Sequence, residues 1–139
     1  MIESAEEFVR LRTSEFREEY SRAANDCASA EVWLEIIEGF PEMRPWVAHN
    51  KNVLPEILET LARDPSPAVR SVVATKNKLS SELFLLLAQD PDEGVRARLC
   101  YNKKVPPNIL QALVSDRSRL VAEAAEARQR NLGESFNRE

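Results

Sequence analysis

The sequence from Val47 to Arg70 reads VAHNKNVLPEILETLARDPSPAVR, and it returns twice further along the chain. Residues 73–96 read VATKNKLSSELFLLLAQDPDEGVR, and residues 99–122 read LCYNKKVPPNILQALVSDRSRLVA, so the copies start 26 residues apart, at positions 47, 73 and 99. A period between 20 and 50 residues is typical of solenoids, in which each repeat packs only against its neighbours. The repeat therefore decides the fold.

Each copy predicts a longer helix followed by a shorter one. Ile57, Leu58 and Leu61 fall on one face of the first longer helix, which indicates a buried side. The residue before a proline is pushed out of the helical region, so the Asp-Pro pairs at 64–65 and 90–91 end the longer helix. No stretch shows sustained strand-like alternation, so the sequence predicts an all-α fold. The longer helices are predicted at 55–63, 81–89 and 107–115, and the shorter ones follow the N-cap residues Ser66, Asp92 and Ser118.

The repeat extends toward the N-terminus at an offset of 25, since residues 23–25 repeat the Ala-x-Asn pattern of residues 48–50. We therefore predict a single domain over residues 1–139, with about four to five helix-pair repeats of 25–26 residues across 20–128. Residues 1–19 are predicted to form an N-terminal cap, because the end of a solenoid has no neighbour to bury it. Residues 129–139 are predicted to be a frayed tail.

The Leu-Ala-x-Asp-Pro-x-x-x-Val-Arg pattern at 61–70 and 87–96 resembles the leucine-rich repeat variant group of bacterial HEAT-like repeats, and the resemblance covers residues 20–125. It implies stacked helix pairs that wind into a curved, right-handed α-solenoid. Some members of that group hold an iron–sulfur cluster on an N-terminal Cys-rich segment, which this sequence lacks. We therefore expect no cofactor.

The composition favours a soluble, cytoplasmic protein. The N-terminus carries Glu3, Glu6 and Glu7 where a secretory signal needs positive charge and an apolar block, and no apolar run could cross a bilayer. Cys27 and Cys100 are isolated, so they form neither a disulfide framework nor a zinc motif, and we expect both to be small core residues.

Two columns of charged residues recur from repeat to repeat. One reading is a row of carboxylates for acid–base chemistry. We favour a ladder of ion pairs between adjacent repeats, because catalysis needs one site rather than a column of equivalent ones. With no Gly-rich phosphate loop, metal cluster or nucleophile–base pair, the sequence predicts neither an enzyme nor a metal site. The columns are Asp64, Asp90 and Asp116, and Arg44, Arg70 and Arg96.

Variable surface columns are the candidate binding residues. His49 and Tyr101 share a column just after the core pair of each repeat, and we expect them to contact a partner. Trp46 either half-covers the groove between repeats or is an exposed anchor. Leu85 and Leu86 stand where the preceding repeat has Glu and Thr, so they either contact a partner or a second copy of the chain, or pack under a neighbouring loop.

The lysines are concentrated in one structural place, the loop that leads from each shorter helix into the next repeat. Asparagines lie among them, and stacking the loops would produce a basic, amide-rich ridge along one edge. The alternative is that these loops are polar because they are exposed, and that Asn recurs to cap helices. The residues are Lys51, Lys76, Lys78, Lys103 and Lys104, with Asn50, Asn52, Asn77 and Asn102.

These features predict a non-enzymatic interaction module, a small HEAT-like scaffold that binds a partner protein through its curved face or its Lys/Asn edge. One alternative is a cytoplasmic, immunity-type neutraliser of a toxin. Another is a HEAT-like nucleic-acid-binding or base-excision protein, against which the net charge of −4 and the short array argue. Leu85 and Leu86 would also allow two copies to pair as a homodimer.

Overall fold

The protein is all-α, as the sequence predicts. The structure, a computed structural model, describes residues 1–137, with side chains through Gly133. Within these residues the chain forms ten α-helices and one turn of 3₁₀ helix, and the only extended pairing is an isolated bridge between Ile2 and Ala28. None of the described helices is both long enough and apolar enough to span a membrane.

Short loops connect each helix to the next along the chain. The first five are α1 (Ala5–Arg12), α2 (Arg17–Asn25), α3 (Ala30–Gly39), α4 (Arg44–His49) and α5 (Pro55–Leu61), with the 3₁₀ turn at Pro41–Met43 between α3 and α4. The second five are α6 (Pro67–Ala74), α7 (Ser81–Ala88), α8 (Glu93–Cys100), α9 (Pro107–Val114) and α10 (Arg119–Asn137). The first helices of the repeats, α5, α7 and α9, start where the repeat predicts and end one or two residues earlier, because the chain leaves each helix through tighter turns such as Asp64 N–H to Leu61 O (3.1 Å). The prediction that they are longer than the helices that follow them is wrong: these turns leave α5 with seven residues and α7 and α9 with eight each, while α6 and α8 have eight and α10 has 19.

Side-chain caps fix several helix starts. The Asp92 carboxylate accepts a hydrogen bond from the Val95 N–H at 3.0 Å, as predicted for this N-cap. Ser14 is of a residue type common at N-caps, but the second helix begins three residues later, at Arg17. The Ser14 hydroxyl instead accepts a bond from the Phe16 N–H (3.0 Å) and donates one to Glu19 (2.9 Å), so it stabilises the turn before the helix.

The helices group into two compact units, residues 1–64 and the residues from 65 onward. In the first unit α1 packs against α2 and α3, and α3 packs against α4 and α5. Its core contains Phe8 and Trp33, whose rings meet edge to face at 5.6 Å between centroids. Trp33 is fully buried, which agrees with its place in the apolar column of the repeat.

In the second unit each helix packs against the helix two places along the chain. The second helices of the repeats form one series, α6 against α8 and α8 against α10, while the first helices α7 and α9 pack against each other. Their apolar columns fill the space between the two series, and Val73, Leu87 and Leu99 are completely buried. The register read from the sequence is therefore the register of the core.

The C-terminal helix is longer than predicted. The sequence was expected to fray from Gln129, but α10 continues to Asn137. Residues 119–132 contain no proline or glycine and are rich in strong helix formers, which explains the extension. The Gln129 side chain also donates a hydrogen bond to Gln111 at 2.9 Å. Residues 138–139 of the predicted tail lie outside the described residues.

The charged columns form the predicted ion pairs, which we call the Arg–Asp ladder: Arg44–Asp64, Arg70–Asp90 and Arg96–Asp116. In each pair an arginine in the second helix of one repeat (α4, α6 or α8) reaches the aspartate that follows the first helix of the next repeat (α5, α7 or α9). Arg96 holds Asp116 with two hydrogen bonds, of 3.0 and 3.2 Å, and its third nitrogen donates to the Asp90 carbonyl at 2.6 Å. Arg70 repeats this arrangement with Asp90 and the Pro65 carbonyl.

Replacing Leu87 tests the core register. Leu87→Ala should lower the free energy of unfolding by about 2–5 kcal/mol, since the side chain is fully buried and its loss leaves a cavity. Leu85→Ala is the matched control in the same helix, because Leu85 is 52% exposed and its truncation should cost less than about 1 kcal/mol. Urea unfolding followed by circular dichroism measures both. Equal midpoints for the two variants would contradict the register.

The Arg–Asp ladder predicts how stability depends on pH. Burial raises the pKa of Asp116, but hydrogen bonds from Arg96 and the Ser118 N–H, with the charges of Arg96 and Arg117, outweigh it and leave the pKa below its ordinary value. A carboxylate whose folded-state pKa is depressed stabilises the fold above the unfolded-state pKa, and this contribution disappears as the pH falls through the folded-state pKa.

Asp116→Asn should therefore destabilise the protein by about 3–5 kcal/mol at pH 7, because it leaves Arg96 buried without its counter-charge. The difference from the wild type should shrink as the pH falls from about 4, where the carboxylate is protonated in the unfolded chain, through the lower folded-state pKa, where it is protonated in the native protein as well. Urea unfolding across this pH range provides the measurement. Glu123→Gln, in the exposed Arg119–Glu123 pair, is the control, and it should change the free energy of unfolding little at either end of this pH range.

Candidate functional site

The first unit contains a groove where the ends of α1, α2 and α4 meet, which we call the Trp46 groove. It encloses about 170 Å³. Its floor is made by small side chains from the end of α2, and its walls are aromatic and basic. The lining residues are Arg12, Tyr20, Ala23, Ala24, Trp46 and His49.

Trp46 is the largest side chain in this groove, and 39% of it is exposed. The Arg12 guanidinium carbon lies 3.5 Å from the centre of its ring system, and the His49 ring meets it edge to face at 6.1 Å. The next two residues, Val47 and Ala48, are fully buried and fix the helix. One part of the ring is therefore covered and the rest faces solvent, and its role as an anchor for a partner stays a prediction.

Arg12 contacts Trp46 without a counter-ion. It makes no ion pair within the described residues, and its Nε is buried without a hydrogen-bond partner. Nearby arginines differ, since Arg10 pairs with Glu19 and Arg22 pairs with Asp26. The groove therefore holds a positive charge that the described part of the protein does not neutralise by an ion pair.

The second unit has a groove of about 310 Å³ between the ends of α6 and α8, which we call the Tyr101 groove. It occupies the same place in the repeat as the Trp46 groove. Positions 46, 72 and 98 form one column and positions 49, 75 and 101 another, so Arg98 replaces Trp46 and Tyr101 replaces His49. The lining residues are Thr75, Asn77, Arg98, Tyr101, Asn102 and Lys103.

Asn102 holds the wall of the Tyr101 groove in place. It is 2% exposed, and its amide group donates to the carbonyls of Ala74 and Lys76, both at 2.8 Å. Its side-chain oxygen accepts a bond from the Lys104 N–H at 2.7 Å. The amide thus ties the end of α6 to the loop after α8.

Asn50 plays the same part in the first unit. It is fully buried, donates to the carbonyls of Ala23 (2.8 Å) and Asp26 (3.0 Å), and accepts from the Asn52 N–H at 2.7 Å. The prediction that Asn50 and Asn102 belong to an exposed amide ridge is therefore wrong. Their amides donate hydrogen bonds to backbone carbonyls near helix C-termini that have no partner within the helix. Because these carbonyls are covered by the neighbouring helix, the asparagine side chains that reach them are buried too. The capping alternative considered for these asparagines accounts for both.

The lysines remain at the surface, with one exception. Lys51 is exposed in the first unit, and Lys78, Lys103 and Lys104 are exposed in the second, where Lys103 lines the Tyr101 groove. Lys76 is half-buried, and burial lowers its pKa. The continuous lysine ridge stays a prediction, because its members are divided between the two units.

The two leucines of α7 have different environments. Leu85 is 52% exposed, whereas Leu86 is half-buried, and neither lines the two grooves described above. A contact of Leu85 and Leu86 with a partner or a second copy stays a prediction.

Trp46 and His49, which the sequence offered as separate candidate binding residues, line the same groove, and the sequence did not identify the residues around them. Arg12 belongs to the N-terminal cap, outside the repeat, so no column pointed to it. Tyr20 showed only helical spacing. Arg98 carried a usable signal, since it stands in the same column as Trp46 with a side chain of different chemistry.

The described residues include no cluster of three or more His, Cys, Asp or Glu side chains placed to hold a metal ion. The two cysteines lie in different settings. Cys100 is buried, as expected, but Cys27 is exposed, so its prediction as a core residue is wrong. Cys27 lies in the loop between α2 and α3, where its carbonyl accepts a bond from the Ile2 N–H (2.9 Å) and its backbone rather than its side chain is tied down.

The two thiols should react at very different rates. Burial, and then the charge of Asp116, raise the pKa of Cys100 to about 11, so at pH 8 about one molecule in a thousand carries the thiolate. A chromogenic aromatic disulfide should therefore modify one thiol quickly and the other slowly. Cys27→Ser should remove the fast phase, and urea should make Cys100 fast. A fast phase that survives Cys27→Ser in native protein would contradict the burial of Cys100.

No known protein family, curated protein or solved structure matches this chain.

Proposed function

We propose that this protein is a non-enzymatic interaction module, a small HEAT-like α-solenoid that binds a segment of a partner protein in the Trp46 groove. The observation that carries the proposal is a partly exposed tryptophan held in place beside an arginine that forms no ion pair within the described residues. Tryptophan and arginine are among the residues most enriched at the energetic centres of protein interfaces.

The position of Trp46 suits binding because the side chain is already ordered. Arg12 covers its ring and His49 contacts its edge, so little rotamer freedom remains to be lost when a partner docks. The exposed part of the ring still has apolar area to bury. A groove that is pre-ordered but incompletely covered is a feature of a binding site rather than of a core.

The groove also indicates what kind of segment would fit. Ala23 and Ala24 form a small-residue floor that suits an apolar side chain, while the Arg12 guanidinium suits a carboxylate. We therefore expect the partner segment to carry an acidic residue next to an apolar one. Tyr20 can contribute a hydroxyl group at the edge.

The solenoid part of the proposal is supported by three repeating features. Alternate helices pack together in the second unit, the Arg–Asp ladder recurs every 26 residues, and both grooves use the same columns of the repeat. The non-enzymatic part is supported by the ladder, which engages all three aspartates of the recurring column in ion pairs. The lining of the Trp46 groove also offers no Ser, Thr or Cys beside His49 as a nucleophile.

Affinity capture from a lysate of the native host tests the proposal. Trp46→Ala should lose the captured partner, because removing a tryptophan anchor costs about 2 kcal/mol or more, roughly a thirtyfold loss of affinity. Leu34→Ala is the matched control: it removes an exposed apolar side chain of the same unit from outside the groove, and it should retain the partner. Equal capture by both variants would exclude the Trp46 groove as the binding site.

Fluorescence can then follow the groove directly. Trp33→Phe leaves Trp46 as the only tryptophan, and the repeat itself places Phe84 in the Trp33 column. The buried Trp33 Nε1 has no hydrogen-bond partner within the described residues, so this change breaks no hydrogen bond there, and its cost is that of the small cavity left by the smaller ring, about 1 kcal/mol. Binding of the captured partner should shift the Trp46 emission to the blue.

A further inference from the structure

The Tyr101 groove differs chemically from its counterpart in the first unit. The column that places Trp46 in one groove places Arg98 in the other, and Lys103 adds a second cation. Its remaining lining residues are hydroxyl and amide side chains. No acidic side chain lines it. The same place in the repeat therefore changes from an aromatic groove to a cationic one.

The positive charge of this groove is not used inside the described part of the protein. Neither Arg98 nor Lys103 forms an ion pair with another described residue. In contrast, Arg70 and Arg96 of the same unit are held by aspartates in the ladder. Arg98 is exposed near the end of α8, so its donors remain accessible to a ligand.

Helix dipoles account for only part of this charge. The groove lies at the ends of α6 and α8, and each helix C-terminus carries roughly half a negative charge, which attracts cations. Arg98 and Lys103 together exceed the charge of the two helix ends, and Asn102 already satisfies two of the carbonyls at the end of α6. Lys78 and Lys104 in the same two loops enlarge the excess.

The groove is also fixed in shape. The buried Asn102 ties the loop after α8 to the end of α6, and the Thr75 hydroxyl donates to the Val72 carbonyl at 2.6 Å. Backbone bonds from Tyr101 and Asn102 to the last turn of α8, both at 3.1 Å, fix the main chain from which the Tyr101 ring projects. A ligand would therefore meet donors whose backbone supports are already in place.

We propose that the Tyr101 groove binds a phosphomonoester group carried by a protein, that is, a phosphorylated side chain. Such a group has about two negative charges and three acceptor oxygens, which match the guanidinium of Arg98, the ammonium of Lys103 and the amide of Asn77. The exposed Tyr101 ring, 58% accessible, offers a surface for the stem or ring of the modified residue. A carboxylate would satisfy fewer of these donors.

A protein source is favoured over nucleic acid on charge. The whole chain has a net charge of −4, so a long polyanion would be repelled outside the groove, whereas a single phosphorylated side chain needs only the local field. This proposal concerns a second site, and it does not depend on binding in the Trp46 groove.

Amide and side-chain NMR spectra of the full chain test the proposal, with phenyl phosphate, O-phosphoserine, inorganic phosphate and a short oligothymidylate as probes. The first two should shift signals of Thr75, Asn77 and Tyr101–Lys103 in a saturable way. Arg98→Ala should weaken this binding about tenfold or more. Arg98→Lys should lie between it and the wild type, because the charge is kept and the planar fork is lost.

Arg130→Ala is the charge-matched control, since Arg130 is exposed on α10 and does not line the groove. It should change the affinity by less than about twofold. Equal weakening by Arg98→Ala and Arg130→Ala would show non-specific attraction and overturn the proposal. Saturable binding of oligothymidylate alone, with a steep salt dependence, would assign the groove to nucleic acid and overturn the protein source. The Trp46 groove proposal would stand in either case.

Discussion

An arginine–aspartate ion pair in each of three successive repeats constrains how the helix pairs meet. The guanidinium in the second helix of one repeat holds the carboxylate that follows the first helix of the next repeat. It also donates to a carbonyl that precedes its own helix. The same carboxylate accepts a backbone N–H of the following turn, as Asp116 does from Ser118 at 2.8 Å. Because a buried charge without its partner is costly, these contacts leave the connecting turns little freedom.

The grooves depend on this constraint and on a second one, the buried asparagine. The ladder fixes where the second helix of each repeat begins. Asn50 fixes where the chain leaves α4, and Asn102 fixes where it leaves α8. Between these two fixed ends, the exposed side chains of the last helical turn can vary without disturbing the core. This arrangement explains why one repeat can present Trp46 and His49 while another presents Arg98 and Tyr101 from the same columns.

The repeat period predicted much of the structure because its columns reflect burial. Apolar columns became the core, as Leu87 shows, and the charged columns became the ladder. Features outside the period were not predictable in the same way. Arg12 reaches Trp46 from the cap, and such a contact between distant segments leaves no local pattern. Asn102 was misjudged because a polar residue suggests solvent, whereas here its partners are buried carbonyls.

The three ladder pairs share their chemistry but not their depth. The arginine side chain is 25% exposed in the Arg44 pair, 12% in the Arg70 pair and 3% in the Arg96 pair. Coulomb attraction strengthens as the surrounding dielectric falls, while the cost of removing the charges from water rises. The three pairs of one chain thus sample surroundings of decreasing polarity, and salt should screen the Arg44 pair more than the Arg96 pair. Repetition has kept the ion pair while its hydrogen bonds and its solvent access vary, since Arg44 donates one bond to its aspartate and Arg70 and Arg96 donate two each.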